Sequence, residues 1–179
     1  MIRGTRVSLR PIMPGELETF IAQINNIETR GDYMTTRLFE PQKLRDDFAR
    51  HGFISDAFTR LAMVDADDNL VGTLFHFTTR PYSTMREIGC RVFAEEARGL
   101  GYASEALRLL VDNLFDNYPV NRLEWCCDPR NTASARVAVK NGFRQEGVMR
   151  GIFFGRGEYH DSELYALLRD EWKVARRAA

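Results

Sequence analysis

Cysteine is scarce, and it is not spaced for metal. The 179 residues include three cysteines, Cys90, Cys126 and Cys127, and none stands at a zinc-ligand spacing. Cys126 and Cys127 are neighbours on a strand-like run, so their side chains should point to opposite faces. All three read as reduced, small apolar residues in a reducing compartment, and no metal is expected. An excess charge of one sign is also missing. Lys and Arg total 25, and Asp and Glu total 25. With no global basic field, nucleic acid is not expected as a main ligand, although a local basic groove is still allowed. No apolar run approaches a membrane span, and Met1 to Arg6 hold no apolar segment of a signal peptide. The expectation is a soluble, cytoplasmic protein with no membrane partner. No repeat, low-complexity tract or linker divides the chain, so residues 1–179 are expected to form one domain.

What is present alternates between two periodicities. Val7 to Pro11 reads as a strand. Pro14 to Thr29 reads as a helix, with Leu17, Phe20, Ile21 and Ile24 on one face. Arg30 to Glu40 is irregular, and Pro41 to Arg50 is a second helix with Pro41 suited to its first turn. Phe58 to Val64 and Leu70 to Thr78 flank a hairpin turn at Asp65 to Asn69. Thr84 to Phe93 is a further strand. The helix that follows buries Ala103, Ala106, Leu107, Leu110, Val111, Leu114 and Phe115 and turns Glu105, Arg108, Asp112 and Asp116 outward. Then come a strand at Arg122 to Cys127, a short helix from Thr132, and strands at Phe143 to Phe154 and His160 to Leu168 around the turn Gly155 to Glu158.

The most informative stretch joins the fourth strand to the long helix: Arg98-Gly99-Leu100-Gly101-Tyr102-Ala103-Ser104. A helix N-terminus carries unpaired N–H groups and a partial positive charge, and glycines let the backbone approach an anion closely. Arg98 adds a charge and Ser104 a hydroxyl. A dinucleotide fingerprint would need a third glycine at Ser104, and a P-loop would need Gly-Lys-Ser/Thr, which is absent. Downstream, Asn131 is placed to cap the short helix and Gly142 to terminate it.

Arg98, Gly101 and Ala103 resemble the Arg/Gln-x-x-Gly-x-Gly/Ala pyrophosphate loop of the GNAT N-acetyltransferase superfamily. Asn131-Thr132-Ala133-Ser134, Lys140-Asn141-Gly142-Phe143, Glu146 to Arg150, Tyr159-His160-Asp161 and Tyr165 to Trp172 follow in the order of its RimJ/RimL-like branch. That resemblance implies an α/β (α+β) GNAT fold, a mixed, splayed central sheet of about seven strands flanked by about four helices. It implies acetyl-CoA as cosubstrate, with its pyrophosphate on Arg98 to Ser104. Pantetheine would lie in the splay, against backbone near Val92 and Phe93 and against Asn131. The resemblance also implies a primary amine as acceptor, either a protein N-terminus or a small molecule.

Acetyl transfer needs a neutral amine, donors for the oxyanion and a proton for the departing thiolate. Many GNAT enzymes use a Tyr as the acid, but Ala138 stands at that position. The RimJ/RimL pattern offers Ser134 instead. Some relatives carry a Glu base where this chain has Phe153, so Glu87 is the remaining acidic candidate for the base. A cross-strand charge partner of Arg86 or Arg91 is the competing reading of Glu87. His76 sits on an apolar strand and suits core packing better than catalysis, and His160 and Asp161 suit structural roles. The acceptor pocket is expected from Arg30 to Glu40, the Arg80-Pro81-Tyr82 loop and the last hairpin, with Asp32 or Glu40 to hold a cationic amine. The run Ile152-Phe153-Phe154 suits either a homodimer contact or internal packing. Because Tyr and Glu are absent from their usual places, a non-catalytic acyl-CoA-binding sensor or scaffold is the alternative to the enzyme.

Overall fold

The computed structural model describes residues 1–80 and 82–178. In chain order the main elements are β1 (Ser8–Arg10), α1 (Leu17–Asn25), α2 (Pro41–His51), β2 (Phe58–Val64), β3 (Leu70–Phe77) and β4 (Arg86–Val92). They continue with α3 (Tyr102–Asn117), β5 (Arg122–Cys127), α4 (Thr132–Lys140), β6 (Arg144–Gly155), β7 (Glu158–Leu168) and α5 (Arg169–Ala178). One seven-stranded sheet runs β1-β2-β3-β4-β5-β7-β6. Its strand pairs are antiparallel except β4 with β5, which are parallel.

The period-two alternation of the strands sorts side chains onto two helix layers. Leu74, Ile88, Leu123 and Trp125 pack under α3 with Leu107, Leu110 and Leu114. Ala62, Val64 and Phe93 pack under α1 and α2 with Phe20, Ile24 and Leu44. Glu87, Gly89 and Arg91 therefore share the face that looks toward α1. Phe75 shares it too, because it pairs with Gly89.

Two elements differ from the sequence expectation. The first helix does not run unbroken from Pro14 to Thr29. A 3-10 turn at Pro14–Glu16 precedes α1, and another at Glu28–Arg30 follows it. Asn26 leaves the helix with ψ 103°, and its side chain accepts the Glu28 N–H at 3.1 Å. Arg30 and Arg91 then take the Ile24 carbonyl that the ended helix leaves free. The second difference is α5, a helix the sequence expectation did not include. It docks through Trp172, whose ring lies tilted against Phe115 with centroids 5.2 Å apart and whose indole N–H donates to Asp112 at 2.7 Å.

Candidate active site

The parallel pair holds the site because it comes apart. Arg86, Glu87 and Ile88 pair with Leu123, Glu124 and Trp125, and pairing stops there although both strands continue. Beyond Ile88 and Trp125 the sheet opens into a V. The segment after β4 leads into the N-terminus of α3, and the segment after β5 leads into that of α4. Two positive helix ends therefore flank one opening.

At the head of α3, Gly99 and Gly101 adopt φ +76° and +87°, a region that suits glycine. None of the backbone N–H groups from Gly99 to Ser104 has an acceptor among the described residues. The first intrahelical bond runs from Glu105 N to the Gly101 carbonyl. The loop thus presents a continuous set of free donors, the arrangement that binds a phosphate group. Arg6, not singled out from sequence, lies against Gly101: a Cβ there would stand 2.9 Å from its Nη1. Arg98 is turned aside, donating to the Thr29 carbonyl at 2.5 Å and to Glu95 at 3.3 Å. Ser104 Oγ accepts from Asn141 at 3.2 Å and so ties the start of α3 to the end of α4. Leu100, 53% exposed, and Tyr102 line a shallow cleft beside the loop with Arg6 and Asp65 to Asp67.

The structure separates Val92 from Phe93. Phe93 N–H donates to the Val71 carbonyl at 3.0 Å, and its ring is buried beneath α1. That amide is committed within the sheet and is not offered to the opening, which corrects the expected backbone role of Phe93. On the alternate pleat, the peptide groups of Val92 face away from β3 and toward the V.

At α4, Asn131 caps the helix by accepting the Ser134 N–H at 3.1 Å. Gly142, at φ +84°, closes it. Phe143 N reaches the Ala138 carbonyl and Gly142 N the Val139 carbonyl, the paired bonds of a Schellman motif. Ser134 Oγ accepts the Trp125 indole N–H at 2.9 Å. Its own proton takes no part in that bond, and Ser134 partly offsets the burial that raises the neighbouring Cys127 thiol. A hydroxyl whose proton is not used in that bond thus stands beside the end of β5.

On the α1 side of the V, Glu87 pairs in register with Glu124. Burial and the Glu124 carboxylate push Glu87 above the usual carboxylate range, while the Cys126 thiol and Arg80 pull it back. Glu124 is engaged by Arg122 at 2.7 Å and lies 3.8 Å from Arg80. Glu87 has no ion pair among the described residues, so the competing reading, a charge partner for Arg86 or Arg91, is not what the structure holds. Arg86 turns to Thr78 at 2.6 Å. Arg91 turns to the Ile24 and Asn26 carbonyls.

The remaining candidates fall outside the V. His76 is buried on the α3 face beside Tyr118, and burial brings it down to about 4. His160 bridges Arg130 and the Gly155 carbonyl, and Asp161 accepts from Gly151 N. Asp32 is paired at 3.6 Å with Arg156 of the last hairpin, so the irregular segment and that hairpin do meet. Pro81 lies outside the described residues. Ile152 and Phe154 are 60% and 58% exposed on edge strand β6 rather than packed inside. Among the described residues no cluster of His, Cys, Asp or Glu has metal-binding geometry, and no helix is long and apolar enough to cross a membrane.

The family profile described as the acetyltransferase (GNAT) domain matches residues 6–144. The chain belongs to the GNAT acetyltransferase family. It is 30% identical over 189 residues to a probable N-acetyltransferase, YjcK, of Bacillus subtilis, covering 96% of this chain and 98% of that one. Among solved structures it resembles the spermidine N-acetyltransferase of Vibrio cholerae in complex with CoA and spermine, with TM-score 0.82 and 20% identity over 95% of this chain and 99% of the other. It also resembles RimL, a ribosomal L7/L12 α-N-protein acetyltransferase in complex with CoA, with TM-score 0.78 and 20% identity over 94% and 97%. The GNAT acetyltransferase is therefore RimJ/RimL-like in fold, and its family is one of acyltransferase enzymes that use acetyl-CoA.

Proposed function

We propose that this GNAT chain, acting as one domain over residues 1–179, moves an acetyl group from acetyl-CoA to a primary amine by direct attack on the thioester. The observation that carries the reading is the free N–H run from Gly99 to Ser104 beside an opened parallel strand pair. Acetyl-CoA supplies the activated acyl group. Gly99, Leu100, Gly101, Tyr102, Ala103 and Ser104 hold its pyrophosphate through backbone donors. Arg98, swung from Thr29, and Arg6 add charge. Val92 backbone and Asn131 line the pantetheine arm. Glu87, raised by burial and Glu124, takes the proton that frees the amine for attack. Ser134 gives a proton to the departing thiolate, held in aim by Trp125.

RimL and the spermidine enzyme act on a protein N-terminus and on a polyamine, as their names state, and both acceptors present primary amines. The test is release of free CoA thiol from acetyl-CoA in the presence of amines of both kinds. Amine-dependent release supports transfer. Tight acetyl-CoA binding without release for any amine would favour a sensor or scaffold, the reading that Ala138 in the usual acid position favours.

A further inference from the structure

Arg60 is a buried cation without a partner. It projects from β2 on the α1 side of the sheet and is 8% exposed. Its side chain forms no ion pair and no hydrogen bond among the described residues. Nε is sealed from solvent and unbonded. Burial, and then the positive charge of Arg91, bring Arg60 down to about 10. What surrounds it is aromatic. The guanidinium carbon stands 5.3 Å from the Phe20 ring, 5.2 Å from Phe58 and 5.1 Å from Phe75. Ring faces stabilise a buried cation but leave its N–H donors unmet. A buried donor without an acceptor is costly.

The neighbouring arginines Arg30 and Arg91 are each held by hydrogen bonds from their guanidinium groups. Arg91 Nε is buried without a partner, as Arg60 Nε is, but Arg60 differs in having no such bond at all among the described residues. Arg30 donates to the Ile24, Thr35 and Arg37 carbonyls. Arg91 donates to Ile24, Asn26 and Thr29. This side of α1 is therefore lined with cations held by neutral acceptors, and of these Arg60 alone, among the described residues, has a guanidinium with no hydrogen bond.

Its place in the sheet connects it to the V. Arg60, Phe75 and Gly89 form one row across β2, β3 and β4, and Phe58, Phe77, Glu87 and Glu124 form the next. Both rows project from the same face. Gly89 is the first residue of β4 beyond the last paired position. A Cβ there would overlap the Phe75 ring, so that ring lies across the strand where the sheet opens. Phe75 thus touches both the edge of the opening and Arg60, two strand spacings or about 10 Å apart.

We propose that Arg60 is the anion subsite of the acceptor pocket and binds a carboxylate carried by the amine that is acetylated. The acceptor class is an amine with a carboxylate, either a free amino acid or a peptide with an acidic residue near its N-terminus. Its ammonium end lies toward Glu87, its body along Phe75, and its carboxylate at the guanidinium edge, whose planar donors match a carboxylate fork. This inference rests on the transferase reading of the same site.

The experiment compares matched pairs: free acidic amino acids and acidic-N-terminal peptides against the same molecules with their carboxylates converted to primary amides. The wild type should show a KM at least about 10-fold lower for the acid of each pair, the scale of hydrogen bonds to a charged group. Arg60→Met should erase that ratio while KM for acetyl-CoA stays unchanged and Tm holds or rises. Arg60→Lys, which keeps charge but not the fork, should give an intermediate ratio and covers the case in which the Met variant does not fold. A ratio near one in the wild type, or a ratio that survives in both variants, overturns the proposal. So does a preference only for phosphorylated amines. If no amine is turned over, calorimetry of the same pairs on CoA-saturated protein separates the two readings. Binding of the acid form that is lost in the Arg60 variants keeps the subsite and removes the transferase. Equal or absent binding of acid and amide removes the subsite.

Discussion

The Trp125 indole N–H donates to Ser134 Oγ at 2.9 Å, and this bond leaves the serine one proton free to give. Trp125 is the last β5 residue paired with β4, and Ser134 is in the first turn of α4. The bond therefore links the floor of the V to the helix end beside it. Ser134→Ala is expected to lower kcat about 100-fold, the scale of general acid catalysis, with KM for acetyl-CoA nearly unchanged. Trp125→Phe keeps the packing but frees the rotor, so its loss should be smaller. Steady-state kinetics on both variants check the order.

Glu87 predicts a pH dependence of opposite sign in rate and stability. As a base it must be ionised, so kcat/KM rises with pH through a value above the usual carboxylate range. Between its ordinary value of 4.5 and that raised folded value, the folded state keeps a proton that the unfolded chain has released. Stability is therefore lost as pH rises through this window. Glu87→Gln should lower kcat, flatten the acid limb, and raise Tm above the window but not below it. A pH series of rate and of Tm tests both signs.

His76 acts in the other direction. Its folded value is down to about 4, from an ordinary 6.5, because of burial and then Arg86. Between those values the unfolded chain binds a proton that the folded chain refuses. Stability is full above pH 6.5 and falls as pH drops toward 4. His76→Leu should reduce that fall without changing kcat, because the ring is on the α3 face. Thermal melts across this range read it.

Two glycines separate folding from binding. A Cβ at Gly142 would meet Leu167 only at an ordinary 3.7 Å, so Gly142→Ala carries the left-handed backbone penalty alone, about 1–2 kcal/mol. Its Tm should drop about 2–8 °C, with acetyl-CoA affinity retained. Gly101→Glu brings a carboxylate to the phosphate donors and should abolish acetyl-CoA binding in calorimetry.

The periodic strands were legible. Phe58–Val64 and Arg122–Cys127 stand at the bounds their pattern implies, because apolar alternation and turn chemistry decide them locally. The Asn131 cap and the Gly142 stop were legible for the same reason. The break at Asn26 was not, since part of what holds it, the bonds from Arg91 to the Ile24 and Asn26 carbonyls, comes from a strand far along the chain. The resemblance sets pantetheine against backbone near Val92 and Phe93, and only the strand register shows that the Phe93 amide goes to Val71. Arg60 carries no signal in the sequence, because its aromatic cage is drawn from α1, β2 and β3. Cross-chain proximity of this kind leaves no local pattern.

The most direct measurement is the rate of CoA thiol release from acetyl-CoA, with and without a saturating primary amine, for the wild type and Ser134→Ala. The account predicts release that requires the amine and falls about 100-fold in the variant. Acetyl-CoA that binds but is released at the same background rate with and without every amine would contradict it.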